Sequence, residues 1–108
     1  MKLVYVCSPL RAETPELKTR NRDYAISAVL LLTTIHKMNA IAPHLYYPQF
    51  LDDSVENDRA LGLALSADLM KHCDSITVFT AFGITEGMAN EIKLAVKLGK
   101  KVVYFNAK

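Results

Sequence analysis

The sequence predicts an α/β fold: a three-layer sandwich in which a parallel four-stranded sheet carries helices on both faces. Two observations lead there. Four short apolar runs alternate with three longer segments of helical character in the order βαβαβαβ, and that alternation implies parallel strands joined by right-handed crossovers. The chain has 108 residues, 51% hydrophobic and 22% charged, the size and composition of one globular domain with a real core, spanning 1–108.

Each element has a local reason. Lys2 to Cys7 reads as a short buried strand rich in Val and Tyr. After the loop SPLRAET, Thr14 is a candidate N-cap with Pro15 at the first helical position and Glu16 in the first turn. The stripe Leu17, Tyr24, Ala28, Leu31, Leu32, Ile35, Met38 carries that helix to about Met38, where Asn39 is expected to end it in a left-handed turn. Ala40 to Pro43 is a short second strand and HLYYPQFLDD an irregular segment. Ser54 is the expected cap of a second helix running to His72 or Cys73, followed by a third strand from Ser75 to Thr80. Thr85 caps the third helix. Gly99 ends it, with Lys97, Lys100 and Lys101 around its negative end, and Lys101 to Asn106 is the last strand.

Several function classes are disfavoured. A net charge of +2 is too small to argue for nucleic acid, and no basic stripe with interleaved aromatics is present. The apolar run in MKLVYVCS is too short for a signal peptide, and Ala25 to Leu32 cannot span a bilayer, so no membrane partner and a cytoplasmic location are expected. Cys7 and Cys73 have no C-x-x-C partner or histidine cluster at metal spacing and read as buried free thiols, with no metal site implied. The first loop, CSPLR, has neither G-x-G-x-x-G nor a Walker-type lysine, which disfavours ordinary dinucleotide binding and P-loop chemistry.

Ligands of such folds sit beyond the carboxyl ends of the strands. Four segments lie there: Ser8 to Glu13, His44 to Asp53, the link after Thr80, and the chain end after Asn106. Ser8, Arg11 and backbone N–H groups are enough to hold one phosphate. The third helix contains an anomaly. At about 100° per residue, Met88, Ile92, Ala95, Val96 and Leu98 share an arc roughly 160° wide, and Glu91 falls inside it. A carboxylate facing a core costs several kcal/mol unless paired or protonated. In the second helix, Asp68 and His72 lie beside the ridge Leu61, Leu65, Leu69 and angle toward the packed side, where His72 also reads as a partly buried core histidine. That helix is apolar on its far side as well, at Ala60, Leu63, Ala67 and Met70, which suggests self-association. Two carboxylates of differently tuned pKa are what cleavage of a glycosidic bond requires.

Taken together, YVCSPLR, APHL, DLMKHCDSITVF and TEGMANEIKLA resemble, in order and spacing, the nucleoside 2-deoxyribosyltransferase superfamily, which includes the 2'-deoxynucleoside 5'-monophosphate N-glycosidases. A compact, largely uncharacterised bacterial and phage branch is more similar still, and YYPQFLDDSVEN is characteristic of it. The resemblance implies a Rossmann-like or flavodoxin-like sandwich and a dimer or larger homo-oligomer. It implies Glu91 as the nucleophile at C1', Asp68 as sugar contact and proton-transfer aid, and Tyr5 as the residue orienting Glu91. Ser8, Arg11 and Thr85 would meet a 5'-phosphate; His44, Tyr46, Tyr47 and Phe50 would border the base; Gly87 would leave room for the sugar. The sequence departs from the superfamily pattern in having Ser8 and Pro9 where a glycine is usual, and Asn90 before the glutamate. Asp52, Asp53 and Asp58 are open to two readings, ligand contacts or turn and capping residues.

The expected function is therefore that of an enzyme acting on the N-glycosidic bond of a small-molecule nucleoside or nucleotide, as glycosidase or deoxyribosyltransferase, without metal or organic cofactor. The alternative is a non-catalytic nucleotide-binding protein, a sensor or sequestering module of the same fold. A response-regulator-like or flavodoxin-like interaction domain is disfavoured, because CSPLR ends the first strand with no acidic cluster and no suitable flavin loop.

Overall fold

The computed structural model describes residues 2–106. The expected chain-end segment after Asn106 falls outside them. Strands β1 (Leu3–Cys7), β2 (Asn39–Ile41), β3 (Ser75–Phe79) and β4 (Lys101–Phe105) form one sheet in the order β2-β1-β3-β4, and all three pairings are parallel. Helices α1 (Pro15–Leu30), α2 (Glu56–Lys71) and α3 (Glu86–Lys97) connect them. From β1 the chain crosses first to β2 on one side and later to β3 on the other. The carboxyl ends of β1 and β3 therefore flank the point where the winding reverses, the usual place for a ligand.

The period of two along β1 divides the core. Tyr5 and Cys7 pack with Met70, Ile76, Val78, Met88 and Ala95 under α2 and α3. Val4 and Val6 pack with Tyr24, Ala28, Leu32 and Phe79 under α1. A strand buried on both faces explains the unbroken apolar run VYVC.

Thr14 caps α1 by accepting from Leu17 N–H at 3.2 Å, and Thr85 caps α3 by accepting from Met88 N–H at 3.2 Å. Gly99 leaves α3 with φ 72°, a left-handed conformation open to glycine.

Four local expectations are corrected. α1 does not run regularly to Met38; it gives way to a π-helical turn over Leu31–Ile35, where Thr34 Oγ1 donates to Leu30 C=O at 2.6 Å. Across that turn the stripe loses its register, and Ile35 at its end is 68% exposed. The left-handed residue is Lys37 (φ 55°), while Asn39 already pairs with Leu3 in the sheet. Ser54 does not cap α2: Val55 holds that position without a side-chain bond, because Ser54 donates its N–H and hydroxyl to Asp52 Oδ1 at 3.0 and 2.6 Å. Finally, the packed arc of α3 is turned about 40° from its expected position, running from Leu94 to Ile92. Val96 is left 65% exposed, and Glu91 is moved to the middle of the arc.

Candidate active site

Because α3 packs over the side of β1 that carries Tyr5 and Cys7, the Glu91 carboxyl meets two donors at once. The Tyr5 hydroxyl donates to Oε2. The Cys7 thiol lies 3.6 Å from Oε1 and 3.9 Å from the Met88 carbonyl. Burial pushes the Glu91 carboxyl up to about 7, and the hydrogen bonds from Tyr5 and Cys7 hold it from rising further. Burial, then the charge of Glu91, pushes the Tyr5 phenol and the Cys7 thiol well above their ordinary ranges, so both keep their protons and serve as donors. The Ser66 hydroxyl, reaching in from α2, works against that rise at Tyr5.

Glu91 lines a cavity of about 600 Å³ beyond the end of β1. The same cavity brings together Tyr5, Ser8, Arg11, His44, Thr85 and Gly87, residues from three separate stretches of the chain. Ser8 is buried, with Oγ 2.7 Å from His44 Nε2. Burial lowers His44 to about 4, so its ring is neutral at ordinary pH. Arg11 Nε pairs with Asp53 Oδ2 at 3.0 Å at the cavity mouth; both side chains are well exposed, so the pair sets position more than stability. A Cβ on Gly87 would meet only Thr85 Oγ1, at 3.9 Å, so no protein atom demands a glycine there and the open side is the cavity.

Two loops frame this space, and α1 holds both. Asn21, buried, has Nδ2 3.4 and 3.5 Å from the carbonyls of Leu10 and Arg11. Tyr24 accepts from the Ala81 N–H at 2.9 Å and stacks edge-on with Phe82, while the Arg20 guanidinium lies 4.0 Å from the centre of the Phe82 ring.

Other expected residues stand elsewhere. Asp68 is exposed and does not line the cavity. It lies two positions after Ser66, about 200° around α2, and so faces away from Glu91 instead of toward the packed side. His72 is also exposed, at the end of α2. Tyr46, Tyr47 and Phe50 form an edge-on group with centroids 5.2 to 6.2 Å apart, of which only Tyr47 lines the Glu91 cavity. Asp52 and Asp58 close a turn, Asp58 Oδ2 accepting from Asp52 N–H at 2.9 Å. The Ser8–His44 pair, Ser66 and the bond from Cys7 to Glu91 were missed from the sequence. The shared parity of Tyr5 and Cys7 was a usable signal for the last; the others depend on tertiary approach. Among the described residues, no group of three or more His, Cys, Asp or Glu side chains is placed to hold a metal ion.

No curated protein sequence matches this chain. Several solved chains share its fold, among them two deoxyribosyltransferases. The 2-desoxiribosyltransferase from Leishmania mexicana superposes with a TM-score of 0.67 at 18% identity, covering 100% of this chain and 66% of that one. The 2-deoxyribosyltransferase from the psychrotolerant bacterium Bacillus psychrosaccharolyticus gives 0.67 at 18% identity, covering 95% and 71%. The chain thus has a nucleoside 2-deoxyribosyltransferase-like, flavodoxin-like fold and spans about two thirds of the length of these enzymes. The family model described as "Domain of unknown function (DUF7768)" matches residues 2–105, and the chain belongs to that family.

Proposed function

We propose that the protein cleaves or exchanges the N-glycosidic bond of a nucleoside or nucleotide, with Glu91 as nucleophile. The observation that carries this reading is a half-buried carboxyl held at the wall of a nucleoside-sized cavity by two protonated donors, Tyr5 and Cys7. Ionised Glu91 attacks C1', the C1'–N bond breaks, and its electron pair leaves with the base, which takes up a proton at a ring nitrogen. Water or a second base then attacks C1' and releases the carboxylate, its proton passing to solvent. Tyr5 and Cys7 fix the orientation of the two carboxylate oxygens. Ser8, Arg11 and Thr85 face the 5' side, Gly87 gives the sugar room, and His44 with Tyr47 borders the base.

The test is base release from a panel of deoxynucleosides, ribonucleosides and their 5'-monophosphates, with and without a second free base. At least one substrate should turn over, and Glu91→Ala should lower its kcat by about 10³-fold or more. An inactive wild type, or a fully active Glu91→Ala, overturns the assignment.

The exposed position of Asp68 favours a second reading, a sensor or sequestering protein, because Glu91 then lacks the expected carboxylate partner within its own chain. On that reading calorimetry finds nucleotide binding, the ligand is recovered intact, and Glu91→Gln keeps near-native affinity.

Self-association belongs to the same proposal. Leu61 (48% exposed), Ala64 and Asp68 share the outward side of α2, and a second copy packed there brings its own surface up to Asp68.

A further inference from the structure

A second cavity, of about 690 Å³, adjoins the one that holds Glu91. The two share Arg11, His44 and Asp53 among their walls, so the Arg11–Asp53 ion pair stands where they meet. The second cavity contains no part of Glu91, Tyr5 or Thr85. It is walled instead by α1, through Lys18 and Arg22, and by the turn at Asp52 to Ser54.

Its charges are unequally committed. Asp53 is paired with Arg11 at 3.0 Å. Asp52 accepts both the N–H and the hydroxyl of Ser54, at 3.0 and 2.6 Å, and those bonds hold its carboxyl below the usual range, with help from the nearby Lys18 charge. Asp58 accepts the Asp52 N–H at 2.9 Å. Asp52 and Asp58 are thus held within the turn and the start of α2, and Asp53 by Arg11. Lys18 and Arg22 have no ion pair or side-chain hydrogen bond among the described residues. Being four positions apart, they share one face of α1. Asn21, beside them in sequence and buried, reaches the carbonyls of Leu10 and Arg11, so the two cations and the arginine loop are positioned by the same stretch of helix.

We propose that the second cavity receives a chain of phosphates extending from the 5' position of a nucleotide whose sugar lies against Glu91, with Lys18 and Arg22 as its donors and Arg11 at the junction. The inference rests on reading the Glu91 cavity as a nucleoside site and narrows the substrate class to 5'-polyphosphates. A single phosphate is reached by Ser8, Arg11 and Thr85 within the first cavity and leaves the second unused. A linked di- or triphosphate continues past Arg11 and meets two exposed cations. Neither is in an ion pair or side-chain hydrogen bond among the described residues, and Lys18 is near enough to Asp52 to act on it only through its charge. Both are cations of the kind that hold phosphate oxygens by charge-assisted hydrogen bonds. Triphosphates and pyrophosphate-linked dinucleotides share this chemistry and differ only in what lies at the far end.

Calorimetry in the absence of divalent cations tests the inference without requiring turnover. The probes are deoxynucleoside 5'-monophosphates, the matching 5'-triphosphates, a pyrophosphate-linked adenine dinucleotide, and inorganic phosphate and tripolyphosphate. Wild type is compared with Lys18→Ala/Arg22→Ala, whose circular dichroism should be native because both side chains are exposed. Wild type should bind triphosphates at least about tenfold more tightly than monophosphates, as expected for two added charge-assisted contacts, and the double variant should abolish that advantage. Dinucleotide affinity that falls in the same variant supports the shared chemistry with the other source. Equal affinity for mono- and triphosphates, or an advantage that survives the double substitution, overturns the inference and leaves the N-glycosidic reading standing. If no nucleotide binds, that reading fails as well, and tripolyphosphate decides this one: selective binding lost in the double variant supports it, and no binding overturns it.

Discussion

Glu91 and His44 face one cavity with opposite pH dependences. Glu91 is pushed up to about 7 by burial, so from its ordinary 4.5 up to 7 the folded chain holds a proton that the unfolded chain has released, and stability falls as pH rises. His44 is lowered from 6.5 to about 4, so between those values the unfolded chain holds the extra proton and stability rises with pH. Each window is worth on the order of 3 kcal/mol, and where they overlap the two slopes cancel. Urea titrations should therefore find wild type nearly flat from about pH 4.5 to 6.5. Glu91→Gln should expose the rising slope of His44, and an unchanged flat profile in that variant would sink the account. In the proposed reaction the same carboxyl must be ionised, so kcat/KM should rise with pH through about 7. Tyr5→Phe removes a donor that holds Glu91 down, so it should move that limb to higher pH and lower kcat by roughly 10²-fold. An unmoved limb would show that Tyr5 does not set the ionisation of Glu91. The sequence marked Glu91 as anomalous because its neighbours by helical period are apolar. It could not show that Asp68 points the other way, since an arc says which residues share a side and nothing about which side meets the sheet.

At the scale of elements, caps were readable and helix ends less so. Thr14 and Thr85 both accept from the N–H three residues on, as their local sequences imply. Thr14→Ala should cost about 1 kcal/mol in thermal or urea unfolding while leaving kcat unchanged, because the start of α1 takes no part in the Glu91 cavity. Lys37 is a different case. It holds φ 55° where Asn39 was expected to turn, because the π-helical turn consumes extra residues before the chain can enter β2. Lys37→Gly should stabilise the protein by on the order of 1 kcal/mol, since a non-glycine residue pays about that much in this conformation; a loss of stability would mean the lysine side chain makes a compensating contact. Ser54 illustrates competition: it has the right type for a cap, but its hydroxyl is turned to donate to Asp52 instead of accepting a helix N–H.

Over the whole molecule, the strand order β2-β1-β3-β4 sets β1 between β2 and β3 and gathers the site at its carboxyl end. The same arrangement leaves the outward side of α2 bare, with Leu61 48% exposed. Leu61→Glu should shift a sedimentation profile toward the monomer, and if Asp68 serves a neighbouring site it should lower activity in parallel. A wild type that sediments as a monomer at all concentrations removes this part of the proposal. No helix among the described residues is long and apolar enough to cross a membrane.

The two threonine caps, the stop at Gly99 and the odd glutamate were legible because each depends on residues within a few positions of one another, and the parallel sheet was legible from the alternation of elements along the chain. The rotation of α3 that centres Glu91 over Tyr5 and Cys7, the outward turn of Asp68, the joining of Ser8 to His44 across 36 positions, and the second cavity behind Arg11 came from the packed fold alone. Those depend on how helices roll and loops meet once the sheet is closed, and packing settles that through contacts distant in sequence.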